Sequence, residues 1–154
     1  MNVLFLDYDG VVNTPMWNKE GTKCRFNYPS DGYVNNFQAV QWVSEFCNVY
    51  DYSIVVTSTW RMDSNWKECL VRGGLRKTVN IIGSTPFDAE HNRGNEIKEF
   101  LKNHTEVDNF IILDDERVEG FSSHLVQCKW SCGFSEEDYL KAVKLHKKLI
   151  KDSK

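Results

Sequence analysis

The stretch NVLFLDYDGVVN, residues 2–13, places two carboxylates directly after a short apolar run. The run, residues 3–6, has the length and composition of a buried strand. Asp7 and Asp9 follow it one residue apart, and Gly10 ends the pattern. Like charges at the mouth of a buried strand are unfavourable, because desolvation and mutual repulsion both raise the free energy. The arrangement therefore indicates that a positive partner offsets the two charges.

Length and composition narrow the class of protein. The chain has 154 residues, of which 41% are hydrophobic and 27% charged, and this suits one globular domain with its own core. Its formal net charge of -3 argues against strong nonspecific attraction to nucleic acid. No membrane span or signal peptide is seen, so we expect a cytoplasmic protein with no membrane partner. Five cysteines without a C-x-x-C pair are expected to be reduced thiols.

Short apolar strands alternate with amphipathic helices along the rest of the chain. Strands are predicted at 3–6, 52–58, 79–83, 109–113 and 124–130, and helices at 34–47, 64–73, 95–104 and 135–150. The segment 13–32, rich in Asn, Lys, Gly and Pro, is predicted to be a loop or flap. This alternation predicts an α/β fold, a Rossmann-like three-layer sandwich around a central, mainly parallel five-stranded sheet. We expect a single domain over residues 1–154.

The carboxyl ends of parallel strands lie at one edge of a sheet, which is where such folds bind ligands. The residues expected at that edge are Asp7 and Asp9, Thr57 and Ser58, and Asp114 and Asp115. Converging carboxylates suit a hard cation, and Mg²⁺ takes oxygen ligands. A phosphate bound to that cation could be attacked by one carboxylate, while a second, two residues on, protonates the leaving oxygen.

Four segments, in order, carry a resemblance to a known family: FLDYDGVVN, IVVTSTWR, NRGNEI and IILDDE. They resemble the four motifs of the haloacid dehalogenase (HAD) superfamily of phosphohydrolases, and the match spans nearly the whole chain. The sequence is most similar to the small HAD domains of RNA-repair and phage proteins. The second motif of that group similarly ends in Ser-x-Trp-Arg, and its last helix resembles CGFSEEDYLKAV.

The resemblance implies a role for each acidic residue. Asp7 would be the nucleophile and a metal ligand. Asp9 would be the general acid/base, with its backbone carbonyl also on the metal. Asp114 would be the third protein ligand, and Asp115 would ligate or orient metal-bound water.

The resemblance also implies which residues hold the phosphate. Ser58 would hydrogen-bond it, together with the backbone N–H of Thr59, and Thr57 is the alternative if the alignment slips by one residue. Most members place a Lys ahead of the fourth motif to hold the phosphate and the nucleophile. Here the best-placed cation is Arg93, just ahead of a predicted helix, with Lys98 as second choice, and Arg adds a bidentate fork.

Several other residues have two interpretations. Arg61 is either a phosphate or substrate contact or a member of a surface ion pair. For Trp60 we favour packing over a role as a stacking platform. The lysines of the last helix are expected to form a solvated face, and the four histidines to be structural or on the surface.

The first motif also discriminates among reactions. A dehalogenase needs no acid/base at Asp9, and the resembling P-type ATPases have Thr there, so Asp favours a phosphatase or a phosphomutase. The 48 residues between Asp9 and Ser58, partly helical, leave room for only a minimal cap, a flap at about 14–33, and a mutase usually needs a larger one. We therefore expect a Mg²⁺-dependent phosphomonoester hydrolase acting through an aspartyl-phosphate on Asp7.

The substrate and the non-enzymatic alternatives stay open. An open site would admit a phosphorylated small molecule, such as a sugar phosphate or nucleotide, or a nucleic-acid end. Five flap residues could stack on bases or form a small lid, the interpretation we favour: Trp17, Arg25, Phe26, Tyr28 and Tyr33. A receiver domain is disfavoured, because the third strand ends in GSTPFD without a well-placed acceptor Asp. A non-catalytic HAD-like domain that binds a phosphorylated ligand or a partner protein is the remaining alternative.

Overall fold

The computed structural model describes residues 1–15 and 33–154 of the chain. These residues form seven strands: β1 (Asn2–Leu6), β2 (Asn13–Pro15), β3 (Tyr33–Asn35), β4 (Tyr52–Val56), β5 (Ile81–Ser84), β6 (Asn109–Asp114) and β7 (Leu125–Gln127). Five of them build one sheet in the order β5-β4-β1-β6-β7. All four pairings in this sheet are parallel, which confirms the predicted fold class.

Four α-helices connect and cover the strands: α1 (Phe37–Tyr50), α2 (Trp66–Arg72), α3 (Arg93–Asn103) and α4 (Glu136–Asp152). Short 3₁₀ helices lie at Thr59–Met62 and Ser122–His124. Within the described residues, no helix is long and apolar enough to cross a membrane. The described cysteines are free thiols, and Cys24 lies outside the described residues.

The sheet is buried on both faces, which explains why its strands are almost continuously apolar. Leu4 and Leu6 of β1 belong to the larger core cluster, which includes residues of α1, α2 and α4. Val3 and Phe5 point the other way and pack with α3 in a second cluster. Alternate residues of a strand face opposite sides, so β1 supplies both cores and the three-layer sandwich follows.

The segment after β1 departs from the sequence prediction. Residues 13–32 were expected to be a loop or flap, but β2 pairs antiparallel with β3, at the base of that segment. Val34, which fitted the helical apolar period, lies in β3. Helix α1 begins only at Phe37, because the Asn36 side chain caps it by accepting a hydrogen bond from the Ala39 N–H at 3.1 Å. Trp17, Arg25, Phe26 and Tyr28 lie outside the described residues, as does the proposed flap apart from its ends in β2 and β3.

Two other boundaries affect the site. Helix α3 begins at Arg93 rather than at residue 95, because the Asn92 side chain accepts from the Asn95 N–H at 3.0 Å. Arg93 is therefore in the first helical turn, not ahead of the helix as predicted. Strand β6 extends to Asp114, so this carboxylate is held by the sheet itself.

Candidate active site

A cavity of about 480 Å³ lies at the carboxyl edge of the sheet. The site residues predicted from sequence that line it are Asp7, Asp9, Ser58, Thr59, Arg93, Asp114 and Asp115. The strand register explains this convergence. Leu6 pairs with Val56 on one side and with Leu113 on the other, so the segments after β1, β4 and β6 leave the sheet at the same level.

Two buried carboxylates, Asp7 and Asp114, share one positive partner, the guanidinium of Arg93. They are 8% and 3% exposed, respectively. The Arg93 Nη1 donates to Asp114 Oδ2 at 2.9 Å and lies 3.3 Å from Asp7 Oδ1. Arg93 is the first residue of α3, so the positive end of the helix dipole also lies at the cavity.

Burial raises the pKa of both carboxyl groups above their ordinary range. For Asp7, the charge of Arg93 opposes this rise and Asp115 adds to it. For Asp114, the charge of Asp7 adds to the rise and Arg93 opposes it. A single guanidinium therefore does not fully offset the cost of ionising both groups, and the site favours additional positive charge.

A third carboxylate makes the site suitable for a divalent cation. Asp7, Asp114 and Asp115 each offer a carboxylate oxygen, and these oxygens all lie within 4.8 Å of one another. An all-oxygen set of this size and charge fits a hard ion such as Mg²⁺. The carboxylate of Asp9 is not part of this trio, and its predicted contribution is the backbone carbonyl instead.

Gly10 makes the close approach of Asp115 possible. Its φ of +81° lies in the left-handed region, which side chains rarely adopt. A Cβ at this position would lie 2.6 Å from the Asp115 Cγ. The glycine of the first motif therefore serves both the turn and the position of a carboxylate from another strand.

The loop after β4 supplies the polar groups at the second motif. Ser58 caps the 3₁₀ helix by accepting from the Trp60 N–H at 3.2 Å, which leaves its own hydroxyl proton able to donate into the cavity. Thr57 is fully buried, and its Oγ1 accepts from Arg93 Nη1 at 3.0 Å. Of the two alternatives from sequence, Ser58 lines the cavity and Thr57 holds Arg93.

Asp9 is held by a neighbour that the sequence did not assign to it. The indole Nε1 of Trp60 donates to Asp9 Oδ1 at 2.9 Å. Trp60 also packs against the larger core cluster, as predicted. The sequence carried one signal that Trp60 lies near the site. Trp60 is two residues after Ser58 in the second motif, and this short segment must pass beside the cavity.

Arg61 forms an ion pair, as one of the two interpretations from sequence expected, but the pair is buried rather than on the surface, and Arg61 does not line the cavity. Its Nη2 lies 2.9 Å from Glu96 Oε2, and the two side chains are only 2% and 5% exposed. The same guanidinium donates to the backbone oxygens of Thr57, Ser58 and Thr85. Arg61 therefore joins the second-motif loop to α3 and to the segment after β5. Neither partner of a buried pair is evident from local sequence.

Of the two candidate cations from sequence, only Arg93 lines the cavity, which also includes residues that the sequence did not assign. Lys98 lines a different cavity, whereas Arg93 lines this one. Exposed His91, with φ of +55°, and Arg117 line its rim, and the sequence did not assign either of them to the site.

The comparison with known protein families agrees with the motifs. Residues 3–139 match the family model described as the HAD domain in Swiss Army Knife RNA repair proteins. The matched range contains all four motifs, so the resemblance stated from the sequence is confirmed. No curated protein and no solved structure matches the chain.

We expect Mg²⁺ to stabilise the protein more at about pH 7.5 than at about pH 5. The raised pKa values of Asp7 and Asp114 mean that the folded protein retains protons which the unfolded chain releases. This contribution to stability is present below about pH 4 and is lost as the pH rises through the raised values. A cation needs ionised ligands and offsets that loss. Thermal unfolding with Mg²⁺ and with EDTA measures the effect. The shift should largely vanish in Asp114→Asn, and an undiminished shift in that variant would contradict the assignment.

Gly10→Ala should lower the free energy of unfolding by about 1–3 kcal/mol, because alanine is strained at this φ and its Cβ displaces Asp115. It should also weaken Mg²⁺ binding, measured by calorimetry. Gly83→Ala is the matched control, since nothing lies within 4 Å of a Cβ there. Equal effects of the two substitutions would argue against the role given to Gly10.

Glu96→Gln should lower the free energy of unfolding by about 3–5 kcal/mol, because it leaves the buried charge of Arg61 uncompensated. Glu68→Gln is the matched control: it breaks an exposed pair with Arg72, which is worth only about 0–1 kcal/mol. Urea unfolding of both variants measures the difference. A small loss in Glu96→Gln would mean that water or a rearranged partner satisfies Arg61.

Proposed function

Because the chain belongs to the HAD domain family of Swiss Army Knife RNA repair proteins, we propose that it hydrolyses phosphomonoesters through an aspartyl-phosphate on Asp7. Membership supports a hydrolase of the phosphatase type. The observation that carries the proposal is the trio of Asp7, Asp114 and Asp115, with Arg93 lining the same cavity. These groups combine a nucleophile, a cation site and a fixed positive charge.

The proposed reaction has two steps. In the first, a carboxylate oxygen of Asp7 attacks the phosphorus, the bond to the leaving oxygen breaks, and protonated Asp9 gives its proton to that oxygen. In the second, ionised Asp9 takes a proton from water as the water oxygen attacks the phosphorus. The bond between phosphorus and Asp7 then breaks and inorganic phosphate is released. Asp9 ends the cycle protonated, ready for the next substrate.

The remaining residues bind and orient the phosphate in this proposal. The guanidinium of Arg93, the hydroxyl of Ser58 and the backbone N–H of Thr59 are suited to donate to its non-bridging oxygens. Mg²⁺, held by the carboxylate trio and the Asp9 carbonyl, would neutralise part of the phosphate charge and fix its orientation. Because Arg93 also contacts Asp7 and Asp114, it can keep the nucleophile oriented before substrate binds.

A phosphate at a nucleic-acid end is the substrate class we propose. The RNA-repair setting of the family supports it. So does the length of residues 14–33, which suffices for a flap but not for a cap enclosing a small molecule. The formal net charge of -3 weighs against long nucleic acid, so recognition would be of the terminus rather than of an extended strand. The proposal takes residues 1–154 as one catalytic domain, and a cytoplasmic location remains a prediction.

Asp7→Asn should reduce phosphate release by about a thousandfold or more, because the amide is a poor nucleophile. Asp9→Asn should reduce it by about 10²–10⁴-fold, since both steps lose proton transfer. Asp152→Asn, an exposed change at the end of α4, is the control and should leave the rate unchanged. Circular dichroism checks that each variant is folded. Full activity in Asp7→Asn would refute the mechanism.

Release of inorganic phosphate from a substrate panel, with Mg²⁺ or with EDTA, tests the substrate class. The panel contains p-nitrophenyl phosphate, nucleotides, sugar phosphates, and oligonucleotides phosphorylated at the 3′ or 5′ end. We expect the highest kcat/KM for an oligonucleotide end. A sugar phosphate as best substrate would overturn the substrate class alone. Mg²⁺ binding without turnover of any substrate would favour the non-catalytic HAD-like domain.

A further inference from the structure

We propose that Trp60 is a positioning residue for the general acid/base: its indole N–H holds the Asp9 carboxylate in place for proton transfer. The inference rests on the proposed phosphatase function and adds a residue with no assigned role to it. The hydrogen bond between Trp60 Nε1 and Asp9 Oδ1 is 2.9 Å long, within the range of a well-formed bond to a carboxylate.

The indole is a suitable group for this purpose. It carries a single N–H, which can donate but not accept, so it fixes an acceptor without competing for the proton that Asp9 must transfer. The ring of Trp60 packs against the larger core cluster, which restricts its two side-chain torsions. A rigid donor of this kind holds its acceptor more firmly than an exposed, mobile polar side chain would.

The backbone that carries Trp60 is itself firmly placed. Trp60 lies in the 3₁₀ helix Thr59–Met62, and its own backbone N–H donates to the capping side chain of Ser58. The buried guanidinium of Arg61 donates to the backbone oxygens of Thr57 and Ser58 in the same segment. The segment that would bind the phosphate therefore also fixes the indole of Trp60. Phosphate binding and the positioning of Asp9 depend on the same piece of backbone.

A second donor acts on the same carboxylate oxygen. Asn13 Nδ2 lies 3.4 Å from Asp9 Oδ1, a longer and weaker contact than that of Trp60. Two donors on one oxygen restrict rotation of the carboxylate about its last torsion. Asp9 lines the cavity but is not part of the carboxylate trio, so its carboxylate is separate from the candidate cation ligands.

The alternative is that the bond only satisfies a half-buried indole and has no part in the reaction. The two accounts differ in how the rate depends on the leaving group. A good leaving group such as p-nitrophenolate needs little protonation, whereas the alkoxide of an alkyl phosphate needs a well-placed acid. Loss of positioning therefore slows alkyl substrates selectively, while general damage to the site slows all substrates alike.

The test compares kcat/KM for p-nitrophenyl phosphate and an alkyl phosphate, because kcat/KM reports the first step, in which the leaving group departs. Trp60→Phe keeps a ring and removes the N–H. It should lower kcat/KM for the alkyl phosphate about tenfold more than for p-nitrophenyl phosphate. Trp42→Phe is the matched control: Trp42 packs on the same core cluster, with its ring against Tyr139, and it should not change the ratio. In the Asp9→Asn background, Trp60→Phe should have no leaving-group-dependent effect.

Two further measurements cover a variant that fails to fold. Benzothienylalanine at position 60 replaces only the N–H by sulfur and should reproduce the selective loss. The five tryptophans give five indole signals in a ¹H–¹⁵N spectrum. The Trp60 signal should shift in Asp9→Asn, and the Trp42 signal should not. A Trp60 signal that does not move, or an unchanged substrate ratio with Asp7-dependent turnover intact, overturns the role of Trp60 alone. Wild-type turnover that is absent, or that survives Asp7→Asn, overturns the phosphatase function together with it.

Discussion

Two carboxylates, Asp7 and Asp114, end adjacent parallel strands and are buried beside each other. The rest of the site depends on how their charge is offset. Burial raises both pKa values, Asp115 adds to the rise at Asp7, Asp7 adds to it at Asp114, and Arg93 opposes both rises without removing them. Ionising these buried carboxylates is therefore unfavourable in the folded protein, and a bound divalent cation would offset that cost. In the proposed function, a phosphate brought to that cation would lie against the carboxylate that attacks it.

The positive charge that partly offsets the two carboxylates comes from helix α3. Arg93 begins the helix and contacts both carboxylates, while Glu96, one turn later, is buried against Arg61. Arg61 in turn holds the backbone of the loop that carries Ser58. Helix α3, the sheet edge and the loop after β4 are therefore connected through buried charges. A change at Glu96 should affect the proposed phosphate site as well as the stability of the protein.

The fold could be predicted from the sequence because the spacing of apolar residues in strands and helices is a local property. The sheet is also covered on both faces, so its strands are almost continuously apolar and easily identified. Asp7 and Asp114 were also predictable, because the ends of parallel strands meet whatever the loops do. The pairing of Arg61 with Glu96 was not, since it joins residues 35 positions apart and depends on how α3 docks. The bond from Trp60 to Asp9 joins residues 51 positions apart, so the second motif could place Trp60 beside the cavity without identifying its partner. Val34 was misplaced because its apolar character fits either period.

The most direct test of the central claim is to trap the covalent intermediate. Borohydride reduces an acyl phosphate, so quenching the protein with borohydride during turnover, followed by peptide mass spectrometry, locates the phosphorylated residue. The account predicts conversion of residue 7 to homoserine only when both substrate and Mg²⁺ are present. The highest yield is expected in Asp9→Asn with p-nitrophenyl phosphate, whose leaving group needs little protonation, so that hydrolysis of the intermediate is slowed more than its formation. Reduction at Asp114 or Asp115 instead, or turnover with no reduced carboxylate at all, would contradict it.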